Sequence, residues 1–379
     1  MMWKVQLFEL NFDERERQAV TAVLESGWIT MGERIQEFEQ RFGDSLGHGA
    51  KAIAVANGTA ALHMAVLALG IGPGDEVIVP ALTFIADLNV VRLTGATPVL
   101  ADCTSLTDWN MDPEDARRRI TDRTKAIMIV HYAGYSCNMD AFTELCRDRS
   151  LFLIEDAAHA VGASYRGQPC GTFGDVGCFS FFTNKNLSVG EGGMYVSRSE
   201  DLEQKGRYLR SHGMTTLTLD RHEGRAITYD VVQSGLNYRM DEMRAALGIV
   251  QLEKLAESND KRRQLTQMYI ELLSGIKGLT LPFLNHPNSI PSYHILPILL
   301  DADVDRISVI NRLKEAGIQS SIHYPAFQDF TAFRLSSLSA TPISNEISKR
   351  ELTLPLFPTM GFEKVRYVCN CLKDILNKL

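Results

Sequence analysis

Short apolar runs alternate with amphipathic ones between about residues 50 and 200, and this rhythm limits the fold more than any other feature of the chain. "AIAVAN", "EVIVP", "TPVLAD", "KAIMIVHY" and "LFLIED" are near-continuously apolar. Between them lie "TAALHMAVLALG", "FIADLNVVRLTG", "MDPEDARRRI" and "MDAFTELCRDR", which read as helices. Continuous apolar strands separated by helices form mostly parallel sheets covered on both faces. The expected fold class is therefore α/β. In such sheets ligands sit beyond the carboxyl ends of the strands, so the residues that close each apolar run are the ones to inspect.

After Gly192 the pattern changes. "EDLEQKGRYLRSHG" reads as a helix with a basic end, and "MDEMRAALGIVQLEKLAESNDKRRQLTQMYIELLSG" as one or two long helices. A strand "YHILPILL", a helix "DRISVINRLKEAG", a short strand "IQSSIHY" and a terminal helix from about Glu363 complete a smaller α+β unit. The 379 residues thus divide into a large unit, 1–250, and a small one, 251–379, with a soft boundary inside the long helical stretch.

A net charge of -7 argues against non-specific nucleic-acid binding, which needs a concentrated basic surface. The seven cysteines include no CxxC pair, and the "CNC" near the C-terminus lacks partners at finger spacing, so no metal is expected. They read as reduced, small apolar residues. The N-terminal stretch "MMWKVQLFELNFDERERQAV" has no apolar signal core. The uncharged run 52–74 is too polar to span a membrane. A cytoplasmic location is expected.

Two strand ends carry the chemistry. "LFLIEDAAHA" ends in Glu155 and Asp156; an acid there either faces the ligand crevice or caps a helix. "GDVGCFSFFTNKN" is a second apolar strand, ending at Lys185, 29 positions after Asp156. Phe179, Phe181 and Phe182 before it ask for a core, and "GEGG" follows it. A lysine in so dry a place has a depressed pKa and becomes a nucleophile near neutral pH. An amine and a carboxylate at one rim suit pyridoxal phosphate, whose aldehyde forms a Schiff base with lysine and whose ring nitrogen pairs with an acid. "ANGTAAL" adds a strand end, a small-residue turn and a helix start, a place for a phosphate, with the hydroxyls of Thr59 and Ser180 in reach.

With those motifs in view the chain resembles the DegT/DnrJ/EryC1/StrS family of pyridoxal-phosphate aminotransferases. The likeness runs through "GWITMGERIQEFE", "VANGTAALHMAVLALGIGPGDEVIVPALTFIAD", "GATPVLAD", "IEDAAHAVGA", "GTFGDVGCFSFFTNKNLSVGEGGMYVS", "LRSHG" and "LNYRMDEMRAALGIVQL". It implies fold type I, with a large domain built on a mostly parallel sheet and a smaller α+β C-terminal domain. It also implies Lys185 as the Schiff-base lysine and Asp156 as the ring-nitrogen partner. Gly58, Thr59, the backbone of Ala60 and Ser180 are implied at the phosphate, and Phe84 stacked on the ring. His159 stands where many members carry glutamine, so its contact with the ring is expected to differ. Asn237 is implied to reach the phosphate of a neighbouring subunit, hence a homodimer with shared active sites.

His323 and Tyr324, in "SSIHYPAF", are expected at the sugar site or in simple packing beside it. Arg239 is a third substrate candidate through its proximity to Asn237. Arg207 and Arg210 read more readily as solvated helix charges, and His131 as a rim residue without a catalytic role. The resemblance implies transfer of an amino group from glutamate to a nucleotide-linked keto-deoxy sugar, favouring C-4 of a 4-keto-6-deoxyhexose, in deoxyaminosugar biosynthesis. C-3 amination and keto-cyclitol amination are the alternatives within the family. A cofactor-binding regulatory protein without turnover is the alternative outside it.

Overall fold

In the computed structural model, which describes residues 3–216, 224, 227–333 and 340–378, the apolar runs join in one seven-stranded sheet. Its first strands are β1 (Lys51–Val55), β2 (Glu76–Pro80), β3 (Thr97–Ala101), β4 (Thr124–Val130) and β5 (Phe152–Asp156). Two short strands, β6 (Ser164–Tyr165) and β7 (Gln168–Pro169), pair outside it. β8 (Val176–Ser180) and β9 (Gly193–Ser197) then complete it. The spatial order is β1-β9-β8-β5-β4-β2-β3. All run parallel except β9, which is antiparallel to both of its neighbours, β8 and β1. The stretch between β8 and β9 carries no helix, and a parallel return needs a crossover, so the chain doubles back.

Helices cover both faces, as continuous apolar strands require. They are α1 (Glu14–Ser26), α2 (Glu33–Leu46), α3 (Gly58–Ala68), α4 (Ala86–Leu93), α5 (Pro113–Arg118), α6 (Met139–Arg149) and α7 (Glu200–Arg210). One core layer joins Ile53, Val55 and Tyr195 of the sheet to Leu62, Leu88 and Leu209 of the helices. On the opposite face Phe38 and Phe42 of α2 meet Phe179 and Phe181.

The long helical stretch is a single helix, α8 (Glu242–Leu273), without a break at residue 250. Its first half packs Ala245 and Ile249 into the α2 layer, and its last turns place Leu265, Tyr269 and Leu273 in a separate C-terminal core. That core is built on β10 (Leu279–Thr280), β12 (Leu296–Leu300) and β13 (Glu351–Leu354), an antiparallel sheet, while the short β11 (Ser289–Ile290) pairs back to β6. Helices α9 (Arg306–Glu315), α10 (Pro342–Arg350) and α11 (Phe362–Leu376) complete it. Val5 belongs to the same core and bridges Ile318, so the N-terminal segment joins the smaller unit in space. The expected strand "IQSSIHY" forms no continuous strand, only two isolated bridges, Ile318 to Val5 and Ser321 to Thr353. Among the described residues no helix is long and apolar enough to cross a membrane.

Candidate active site

Strand periodicity selects which side chains face the ligand side, because successive residues point to opposite faces. Phe179 and Phe181 point into the core, 5.1 Å from Phe42 and 5.4 Å from Phe38 between ring centroids. Ser180 and Phe182 point the other way and line a cleft of about 440 Å³. The sequence groups Phe182 with the core aromatics; the period of two puts it at the cleft, 43% exposed. At the end of β5 the same rule separates the two acids. Glu155 faces inward and is saturated by the N–H groups of Gly171, Phe173 and Gly174 and by His131 Nε2. Asp156 faces the cleft. His131 is fully buried beneath the sheet end, not at the rim.

Lys185 lies on the loop joining β8 to β9 and lines the same cleft. The next residue anchors that loop. Asn186 Nδ2 donates to the Ser292 carbonyl (2.7 Å) and to Asn259 Oδ1 (2.8 Å), and its Oδ1 meets His294 Nδ1 (2.8 Å). Burial lowers the Lys185 amine to about 8, with the Asp156 charge opposing the drop. Burial raises the Asp156 carboxyl, against the N–H of Ala158 (2.9 Å) and the Lys185 charge, both of which favour its anion.

The third element is the start of α3. Asn57 caps it, accepting the Ala60 N–H at 2.8 Å. The Ala60 amide is therefore taken, contrary to its expected place at a phosphate. The N–H groups of Gly58 and Thr59 make no hydrogen bond among the described residues and sit at the positive end of the helix dipole. Gly58 is there because the chain passes close to β8: a Cβ on it would lie 2.8 Å from Ser180 Cβ. The Ser180 hydroxyl and the free amides thus converge.

Phe84, 54% exposed, forms the lip of the cleft, its ring 5.8 Å from that of Tyr324. His159 Nδ1 accepts the Ala133 N–H (3.3 Å), which leaves its other nitrogen as N–H donor to the Tyr324 oxygen at 3.1 Å. Burial, with Lys185 nearby, holds His159 far below its ordinary pKa, so the ring is neutral. Tyr324 can then turn its own O–H into the cleft. His323 is pushed to about 4 by burial and the Lys185 charge. Its Nδ1 bonds Thr353 Oγ1 at 2.8 Å, and Thr353 donates to Glu351.

The fold therefore brings Lys185, Asp156, His159, Thr59, Gly58, Ser180, Phe84, His323 and Tyr324 to one cleft. It does not bring in Asn237, which is exposed, or Arg239, which bridges Val55; neither lines the cleft of its own chain. Arg207 and Arg210 both pair with Glu39, away from it. Four polar lining residues escaped sequence reading. Asn57 carried a usable signal, an N-cap type just before a helix; Thr83, Asn184 and Glu191 carried none.

An amine, a carboxylate and an anion-receptive helix start are complementary to the aldehyde, ring nitrogen and phosphate of pyridoxal phosphate. On a seven-stranded, mostly parallel sheet they define a pyridoxal-phosphate enzyme of fold type I. More narrowly, the chain belongs to the DegT/DnrJ/EryC1/StrS aminotransferase family, whose model matches residues 11–373. It is 38% identical over 374 residues to the spore coat polysaccharide biosynthesis protein SpsC of Bacillus subtilis, covering 96% of this chain and 95% of that one. It is 35% identical to the GDP-perosamine synthase of Escherichia coli O157:H7, covering 98% of each chain. Its structure superposes with a TM-score of 0.91 on a putative sugar aminotransferase, Spr1654 of Streptococcus pneumoniae, in its PMP-form, at 28% identity over 100% of this chain and 99% of that one.

Proposed function

We propose that the protein moves an amino group from glutamate to C-4 of a nucleotide-linked 4-keto-6-deoxyhexose. The observation that carries the reading is that Lys185 and Asp156 face one cleft whose end is the free start of α3. The likeness to a GDP-perosamine synthase, an enzyme named for a GDP-linked amino sugar, supports a nucleotide sugar as acceptor.

Bound pyridoxal phosphate supplies an electron sink for the carbanion formed when the proton beside the amine leaves. In this reading Asp156 holds the ring nitrogen, and Gly58, Thr59 and Ser180 hold the phosphate. Phe84 covers one ring face. Lys185, with an amine near 8 in the free protein, can take a proton at neutral pH and return it to the adjacent carbon. His323 and the Tyr324 hydroxyl meet the sugar from the smaller unit. Asn237 and Arg239, outside their own cleft, serve that of a second copy, so the working form is a homodimer with shared sites.

The test begins with the purified protein and its Lys185→Ala variant, each loaded with pyridoxal phosphate. Glutamate should bleach the visible band of the wild type alone and yield 2-oxoglutarate. GDP-, dTDP- and UDP-linked 4-keto-6-deoxyhexoses should then restore the band, with the amino group located by NMR of the product. Restoration only by a 3-keto sugar or a keto-cyclitol would replace the acceptor assignment. Absence of any bleaching would favour a binding protein without turnover.

A further inference from the structure

A second carboxylate, fully buried and outside the lining of the cleft, acts on Asp156 and is not used by the reaction as described. It is Asp87, in the first turn of α4. Its Oδ2 accepts the Thr83 hydroxyl at 2.5 Å. Its Oδ1 is buried and finds no conventional donor among the described residues. Asp156 is the charge that acts on it, and each of the two carboxyl groups shifts the other. Two carboxyl groups can bond only if a proton lies between them, and two neighbouring buried anions would repel almost unscreened.

We propose that Asp87 is a positioning residue: it keeps one proton, donates it to Asp156, and so fixes Asp156 as a single, oriented anion facing the cleft. This rests on the reading of Asp156 as the partner of the cofactor's ring nitrogen. The proton belongs on Asp87 rather than on Asp156 for three reasons. Asp156 already receives the Ala158 N–H, it feels the positive charge of Lys185, and it borders the cleft. Asp87 has only the Thr83 hydroxyl and the start of α4 in favour of its anion. Complete burial and the Asp156 charge outweigh both and raise its pKa well above the carboxylate range. Of the other groups near the pair, His131 bonds Glu155 and its charge favours the anion of Asp156, while Cys178 holds its thiol proton and Tyr324 its phenol proton. The pair therefore offers one negative charge, not two, to one positive ring nitrogen, and the donated hydrogen bond sets the direction in which that charge points.

The experiment compares full-length wild type with Asp87→Asn, Asp87→Ala and Asp156→Asn. The infrared difference between wild-type and Asp87→Asn apoproteins should show the carbonyl stretch of a protonated carboxylic acid. Glu351, also a buried acid raised to about 8, is present in both and cancels. Titration with pyridoxal phosphate should give Asp87→Asn an affinity within about twofold of wild type, because the amide still donates to Asp156. Asp87→Ala should bind on the order of tenfold more weakly, the worth of one hydrogen bond to a charged group. The pH at which the bound cofactor changes its absorption should shift in Asp87→Ala and not in Asp87→Asn. The isosteric variant reads the proton even if Asp87→Ala folds poorly. No acid band in the difference spectrum, or Asp87→Ala matching wild type in affinity and pH profile, would overturn the proposal. An acid band with Asp156→Asn binding the cofactor as wild type does would overturn it for a separate reason, by removing the role of Asp156.

Discussion

Replacing Lys185 with methionine should make the cofactor-free protein more stable, and the gain should depend on pH in a defined window. A lysine amine ordinarily ionises at 10.5, and in this cleft burial brings it to about 8. At about 1.4 kcal/mol per tenfold change in proton affinity, holding Lys185 here costs about 3 kcal/mol when the amine is charged. Water in the cleft trims this to about 2–3 kcal/mol. The sign follows from where protons bind. Between pH 8 and 10.5 the unfolded chain keeps the lysine proton and the folded chain has lost it, so stability rises with pH across that window. Below pH 8 both states are charged and the full penalty applies. Urea unfolding of the two apoproteins should therefore show Lys185→Met ahead by about 2–3 kcal/mol at pH 7, with the gap closing toward pH 10.5. Any packing gain from the methionine is independent of pH and cancels in the comparison. A gap that stays constant from pH 7 to 10 would refute the reasoning, because Lys185 would then have an ordinary amine.

Other outcomes follow from the same geometry. Ser180→Ala should weaken pyridoxal phosphate binding by on the order of tenfold through loss of one hydrogen bond to an anion, measured by absorbance titration, with thermal stability nearly unchanged. Gly58→Ala should cost about 1–3 kcal/mol in urea unfolding and weaken the same binding, because its Cβ would stand 2.8 Å from Ser180 Cβ. His323, held at about 4, is neutral across the working range, so the pH profile of the glutamate half-reaction should show no inflection that His323→Asn abolishes. Chains carrying Lys185→Ala mixed with chains carrying Asn237→Ala should regain part of the activity that each lacks alone, if Asn237 serves a neighbouring cleft.

The α/β class and the sites of interest at strand ends were legible because they rest on local patterns. Continuous apolar runs specify buried strands, and "FSFFTNK" carries its own period of two. Applied strictly, that period would have placed Phe182 at the cleft rather than in the core. The N-cap role of Asn57, and with it the loss of the Ala60 amide, was also available in "ANGTAAL". The phosphate cradle as a meeting of segments was not. Gly58 and Ser180 touch because β1 pairs with β9 and β9 with β8, so that chain from either end of the large unit forms neighbouring strands. Asn237 and Arg239, placed at the site by resemblance, stand outside the cleft of their own chain.

Asp87 marks the limit most clearly. In "FIADLN" it is a charged residue in the first turn of a helix, where acids commonly sit in solvent facing the helix dipole. Only the packing of α4 onto α3, β2 and β3 buries it where the Asp156 charge acts on it. By itself the sequence determined the order of strands and helices, the fold class, and the amine and acid at strand ends, because these depend on residues near one another in the chain. The tertiary structure alone decided which strand ends became neighbours, which polar atoms were left free, and which carboxylate kept its proton. Those outcomes depend on burial and contact between segments far apart in sequence, and desolvation acts only once the segments have met.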